Sequence, residues 1–250
     1  MKHLQLQNKS ALITGANTGI GKAVALLFAK EGANVSFIHY GDIENANKTK
    51  GEIEAYGKRS ISFDGDVSDS QFIRNVVEQT VNEFGTIDIL VNNAGTQFPC
   101  DNIENIKEKD IRQTFDSNII GMILLTKAVF PFLKQGSAII NTTSATAYVG
   151  HEALLDYSAT KGAVVSFTRS LALQAKPKGI RVNAVAPGPV ATPLTKETLG
   201  EKEEDGSKPP LERNASTDEI ATNFLFLASE NACQITGQVL HPNGGIIVNG

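Results

Sequence analysis

Strand-like runs alternate with stretches of helical periodicity along the whole chain, and this alternation leaves few folds open. The runs fall at Ser10–Thr14, Val35–His39, Arg59–Phe63, Ile87–Val91, Ala138–Thr143, Ile180–Ala186 and Gly237–His241. Helical patterns separate most of them. One reaches about Glu31 and is closed by Gly32, a second covers Asp42–Tyr56, and a third, capped by Ser68 or Asp69, ends at Phe84. Asp110–Leu133 reads as a single long amphipathic helix with Pro131 near its end, and Thr217–Ser229 as the last helix. Each helix returns the chain to the same edge of a sheet, so the strands run parallel with helices on both faces. Ile87–Val91 is apolar without a break, as a strand buried on both sides requires. With no repeat or linker, the expectation is an α/β fold, one domain over 1–250, built on a doubly wound parallel sheet of seven strands.

The first turn carries the first sign of chemistry. Gly15-Ala-Asn-Thr-Gly19-Ile-Gly21 follows a strand and opens a helix, the context in which a glycine-rich turn binds a dinucleotide. Gly15 permits a tight turn, Gly19 lets the backbone approach a pyrophosphate, and Gly21 lets the helix pack on the strand. The amides at the helix start then meet the phosphates. This context makes the expected sheet Rossmann-type. The bland alternative is an ordinary glycine turn.

A second signal lies at 141–165. Tyr157 and Lys161 are one helical turn apart, so one helix face carries a phenol beside an ammonium. An unperturbed phenol has a pKa of about 10, and a neighbouring cation lowers it toward the working pH. Ser144 ends the run Ala138–Thr143, so a strand end and a helix bring three polar groups toward one carbonyl. A Tyr-x-x-x-Lys by itself is also compatible with a packed tyrosine beside a solvated lysine. Pro177 and Gly179 stop that helix after Lys176.

Together, Thr14-Gly15…Gly19-Ile-Gly21, Ser144 and Tyr157-Ser-Ala-Thr-Lys161 resemble the signature of the short-chain dehydrogenase/reductase family. Further matches stand in order: Asn92-Asn93-Ala94-Gly95, Phe115-Asp-Ser-Asn118-Ile-Ile-Gly121, and Pro187-Gly188 with Thr192 following. The likeness runs from Ser10 to the tail, whose ending TGQVLHPNGGIIVNG resembles a bacterial branch that includes general-stress-type aldehyde reductases. The resemblance implies hydride transfer between a nicotinamide cofactor and a small carbonyl or alcohol substrate. Tyr157 would be the general acid/base, Lys161 would tune it and bind ribose, Ser144 would orient the carbonyl, and Asn118 would anchor a water. An Asn inside a buried helix in any case needs partners.

The cofactor groove implied by the family comprises Gly15, Asn17, Thr18, Gly19, Ile20, Tyr40, Asp66, Val67, Asn92, Ala94, Gly95, Tyr157, Lys161, Pro187, Gly188, Val190 and Thr192. Asp66 would hold the adenine amino group. Asn92 has an equal structural reading, bracing neighbouring strands. Family geometry places Gln97, Phe98, Thr146, His151, Leu154, Leu155, Val190 and Leu194 beside Ser144 and Tyr157 around the substrate. For His151 a solvated loop position, and for Cys100 simple packing, are the plainer readings. Between NAD and NADP the sequence leans to NAD. Tyr40 stands where NAD-selective relatives place an acid, no cation for a 2′-phosphate adjoins it, and Asp42 and Glu44 would repel one.

Residues 189–213 mix apolar and charged side chains without steady periodicity. They are expected to form a lid over the substrate, or otherwise a solvated insertion. The tail PNGGIIVNG is apolar enough to need burial, which points to a homo-oligomer, with a tetramer favoured. A formal net charge of −4 offers no attraction for nucleic acid or an anionic membrane. The N-terminal residues carry no apolar core of signal-peptide length, and no run reaches about 18 uninterrupted apolar residues. Cys100 and Cys233 make no CxxC, and His3, His39, His151 and His241 are scattered. No metal site is expected, and a reducing cytoplasm fits. The competing class is a dinucleotide-sensing regulator on the same fold, for which a full acid-base set has no use.

Overall fold

The structure is a computed structural model and describes residues 4–199 and 209–248. Its centre is one sheet of seven parallel strands in the order β3-β2-β1-β4-β5-β6-β7. These are β1 Ser10–Thr14, β2 Asn34–His39, β3 Ser60–Asp64, β4 Ile89–Asn92, β5 Ala138–Thr142, β6 Arg181–Val185 and β7 Val239–Leu240. All seven expected strands are present, most with ends shifted by a residue or two. β7 is shorter than Gly237–His241, since only Val239 and Leu240 pair with β6.

Side-chain alternation along each strand feeds two separate cores. Ala11, Ile13, Ile89, Val91, Ala138 and Ile140 face a cluster with Val24 and Phe28 of α1 (Gly19–Lys30) and Ile220 and Phe224 of α9 (Thr217–Ala228). Leu12, Leu90 and Ile139, one residue out of step, face the opposite cluster. There they meet Ile73 and Val76 of α3 (Ser70–Phe84), Leu125 and Val129 of α5 (Gly121–Val129), and Leu171 and Ala175 of α7 (Leu155–Ala175). A strand buried on both faces reads as an unbroken apolar run for this reason. Between β2 and β3 lies α2 (Ile43–Glu54), capped by Asp42, whose carboxylate accepts from the Asn45 amide.

Two helices differ from expectation. The predicted helix Asp110–Leu133 begins earlier, as α4 (Glu108–Phe115), and passes through a π turn at Asp116–Ile120 before α5; a 3-10 turn, Phe130–Phe132, ends it around Pro131. π turns occur where a side chain must be re-aimed, and this one contains Asn118. Before α7 there is a short separate helix, α6 (Thr146–Val149). By length and composition alone, Glu108–Phe132 could cross a membrane; here α5 packs Leu125 and Val129 against the sheet.

The strand order reverses direction between β1 and β4, where β2 and β3 lie to one side and β5 to β7 to the other. At such a switch point the connections leave in opposite directions, opening a crevice beyond the strand ends. Of the expected lid, the structure describes α8 (Pro193–Leu199) and the segment from Pro209. Residues 200–208 and the tail's 249–250 lie outside the described residues.

Candidate active site

A groove of about 870 Å³ runs over the carboxyl ends of the strands, from Gly15–Ile20 at one end to Ser144, Tyr157 and Lys161 at the other. Its floor is built from polar crosslinks. Thr14 at the end of β1 accepts, through Oγ1, from the amides of Asn93 (2.9 Å) and Ala94 (2.8 Å). In return Asn93 Nδ2 donates to the carbonyls of Thr14 (3.0 Å) and Gly15 (3.2 Å). A Cβ on Gly21 would collide with the Gly15 carbonyl and lie 2.6 Å from Asn93 Nδ2. Gly21 is therefore required for the helix to sit against the turn. Gly15 has φ +66°, a left-handed conformation that favours glycine.

Of the residues expected to hold cofactor, Asn17, Thr18, Gly19, Ile20, Tyr40, Asp66, Val67, Ala94, Gly95, Pro187, Gly188, Val190 and Thr192 line this groove, together with Gly15, Tyr157 and Lys161. Asn92 does not. It ends β4 pointing inward, and its Nδ2 donates to Thr126 Oγ1 (3.1 Å) and Asn141 Oδ1 (2.8 Å). Its structural reading is the correct one, and Asn93 is the member of the pair at the groove. Strand alternation was the available signal, because adjacent residues at a strand end face opposite sides. His39, Thr142, Gln113, Lys109 and Arg112 also line the groove and were not anticipated. The first two end strands; the rest come from α4, whose placement is tertiary.

At the far end, Ser144 and Tyr157 share a hydrogen bond that favours the ionised phenol, but burial outweighs it and pushes the Tyr157 pKa up to about 12. Lys161 is only 4% exposed, and burial brings its ammonium down to about 8. Its Nζ donates to the Thr142 carbonyl (2.9 Å) and stands 5.3 Å from the centre of the Tyr157 ring. Burial therefore moves the Tyr157 phenol in the direction opposite to the lowering expected beside the Lys161 cation. Tyr157 is a phenol at neutral pH, suited to giving a proton.

Asn118 is 2% exposed and has its side chain fully directed at protein groups. Nδ2 donates to the Thr96 carbonyl (3.0 Å) and Thr160 Oγ1 (3.1 Å), and Oδ1 accepts from the Thr96 amide (2.8 Å). A Cβ on Gly95 would meet Asn118 Oδ1 at 3.1 Å and Lys161 Nζ at 3.5 Å. Asn118 is therefore beside the lysine, clamping 95–97 onto the π turn.

The expected substrate wall is only partly assembled. Gln97, Val190 and Leu194 line the groove, whereas Phe98, Thr146, His151, Leu154 and Leu155 do not. Thr146 instead orients Ser144, donating to its Oγ from the amide (3.2 Å) and the hydroxyl (3.1 Å). His151 shapes the turn into α7, with Nδ1 accepting from the Ala153 amide (3.2 Å). Leu154 is core, 3% exposed, while Leu155 points outward, 38% exposed. Among the described residues no group of three or more His, Cys, Asp or Glu converges.

The family profile described as enoyl-(acyl carrier protein) reductase matches residues 15–247. The chain belongs to the short-chain dehydrogenase/reductase family. This family member is 49% identical over 251 residues to the uncharacterized oxidoreductase YhxC of Bacillus subtilis (strain 168), covering 100% of this chain and 88% of that protein. With the chloroplastic NADPH-dependent aldehyde reductase 1 of Arabidopsis thaliana it shares 44% identity, over 98% of this chain and 88% of the relative. The crystal structure of a 3-ketoacyl-(acyl-carrier-protein) reductase from Brucella melitensis complexed with NADH superposes with TM-score 0.89 at 35% identity, covering 96% and 98% of the two chains. The short-chain reductase described here is an NAD(P)-dependent oxidoreductase on a Rossmann fold. Its groove fits the cofactor, since the turn at Gly15–Gly21 has no room for a side chain at Gly21 and leads to Lys161.

Proposed function

We propose that the protein reduces small carbonyl compounds to alcohols, reversibly, with Tyr157 as general acid. The observation that carries this is the meeting of Ser144, Tyr157 and Lys161 at one end of the dinucleotide groove. Bound NAD(P)H supplies the hydride to the carbonyl carbon. Ser144, fixed by Thr146, and Tyr157 bond the carbonyl oxygen. Tyr157 Oη gives its proton to the developing alkoxide, and the Lys161 ammonium stabilises the phenolate left behind. Asn118 acts on this chemistry by positioning, through Thr96 and the segment beside Lys161. A sensor that never turned over would have no use for this arrangement. Tyr157→Phe tests the assignment; ordinary turnover by that variant with a panel of aldehydes, ketones and alcohols would overturn it.

The cofactor is inferred to be NAD in preference to NADP. Asp42 and Asp64 flank the end of β2: Asp42 Oδ2 accepts from Asn17 Nδ2 (3.3 Å) and Asp64 Oδ1 from the Gly41 amide (2.8 Å). Two carboxylates there disfavour a 2′-phosphate. The relatives point both ways, one named for NADPH and one crystallised with NADH. Turnover with NADH and NADPH at equal concentration decides, and a strong NADPH preference would reverse the inference. The described part of 189–213 that holds α8 is read as a lid, since Leu194, Thr195 and Glu197 border the groove. A homo-oligomer, with a tetramer favoured, is supported by apolar side chains left outside, Leu173 at 78% and the tail's Ile247 at 84% exposed. Sedimentation velocity measures this directly. Two free cysteines support the cytoplasm.

A further inference from the structure

Gln97 was expected to touch substrate, yet its amide is already engaged. It is 5% exposed, and Nε2 donates to Thr198 Oγ1 of α8 at 2.6 Å, across 101 positions of sequence. The direction of this bond is fixed by chemistry. The Thr198 hydroxyl has one proton, which goes to the Leu194 carbonyl (2.7 Å), so Thr198 can only accept from Gln97. The other hydrogen bonds at α8 stay within its own segment. Thr192 and Thr195 pair their hydroxyls at 2.8 Å, Thr195 N bonds Thr192 Oγ1, and Lys196 N bonds the Thr192 carbonyl. Among the described residues, no other hydrogen bond joins Pro193–Leu199 to the body of the protein outside 189–199. The body side of the bond is, by contrast, immobilised, because both main-chain groups of the neighbouring Thr96 are held by Asn118.

We propose that the Gln97–Thr198 hydrogen bond is the latch that holds α8 closed over the reaction end of the groove, making Gln97 a positioning residue. This rests on reading α8 as the lid. A single neutral hydrogen bond suits a latch: breaking it shifts an open–closed ratio by about fivefold, enough to matter and little enough to reverse each turnover. The latch also links the lid to the catalytic groups, since Gln97 follows Thr96, Thr96 is bonded by Asn118, and a side chain at Gly95 would meet both Asn118 Oδ1 and Lys161 Nζ.

The chain has no tryptophan, so Lys196→Trp, at an exposed α8 position that does not line the groove, gives a single fluorescent reporter. In that background Gln97→Leu, Thr198→Val, their combination and Thr198→Ser are compared by reporter anisotropy and by stopped-flow release of NADH, or of NADPH if that binds more tightly. Each of the first two lowers the anisotropy and speeds release about fivefold, the combination does no more than either alone, and Thr198→Ser behaves as the parent. Unchanged anisotropy, additive effects, or a Thr198→Ser variant that behaves like Thr198→Val would overturn the latch. If Gln97→Leu does not fold, the contrast of Thr198→Val with Thr198→Ser decides alone. Neither readout needs turnover, so the latch can fail while Tyr157 chemistry stands, and the reverse.

Discussion

The two walls of the groove are built on opposite principles. Under the glycine turn, four hydrogen bonds tie Thr14 and Gly15 to Asn93 and Ala94, and the helix behind them leaves no room for a methyl group at Gly21. Across the reaction end, among the described residues, α8 meets the body through one hydrogen bond, from Gln97 to Thr198. The first wall serves a dinucleotide whose shape never varies, so rigidity costs nothing in function. The second, on the lid reading proposed above, borders the reacting compound and opens to exchange it, which suits a weakly held element.

The largest expected effect bears on the point where both walls meet. Tyr157→Phe should lower turnover about 10²- to 10⁴-fold while NAD(P)H still binds, as measured by steady-state kinetics and fluorescence titration. Loss of binding with the hydroxyl would show that the rigid wall extends further than drawn here. Gly21→Ala attacks the rigid wall itself. Its Cβ has to displace the Gly15 carbonyl, and cofactor dissociation constants are expected to rise about 10- to 100-fold. An unchanged constant would mean the turn is as yielding as α8.

Lys161 gives a pH test. Its folded pKa, about 8, lies below the usual 10.5. Below pH 8 both folded and unfolded chains carry the proton, so the full burial penalty applies. Between 8 and 10.5 the folded state alone has lost it, and stability rises with pH until the penalty is gone. Lys161→Met should therefore stabilise the fold near pH 7, by about 1–3 kcal/mol in denaturant titrations, while lowering turnover. In the unaltered protein, carbonyl reduction should decline as pH rises through about 8, where the ammonium beside Tyr157 is lost. A profile flat to pH 10 would remove Lys161 from the reaction. The smallest effects separate the walls most directly. Thr14→Val removes the acceptor of two amides and should cost about 1–3 kcal/mol of global stability. Thr192→Val, which loses the bond from the Thr195 amide and the pairing with the Thr195 hydroxyl, both inside the 189–199 segment, should move global stability by less than about 0.5 kcal/mol.

Much of this architecture can be read without coordinates. The apolar runs locate the central strands β1, β4 and β5 because burial on two faces leaves little polar alternation to confuse them. Gly15, Gly19, Gly21, Ser144, Tyr157 and Lys161 are legible because chemistry fixes both residue type and spacing. Asn92 and Asn93 show the limit. Adjacent identical residues differ in role only through the face of β4 that each occupies. The π turn at Asp116–Ile120 left no mark in an amphipathic pattern that reads as one helix.

Local order and covalent spacing thus determined the parallel sheet, the glycine turn and the candidate acid-base residues, since each depends on neighbours a few positions away. Tertiary structure alone decided that Gln97 reaches Thr198 and that Thr146 serves Ser144. It also decided that burial, against the Ser144 hydrogen bond, raises the Tyr157 phenol. Partner choice between distant side chains, and the water each loses on folding, are set by packing, and packing is a property of the assembled chain.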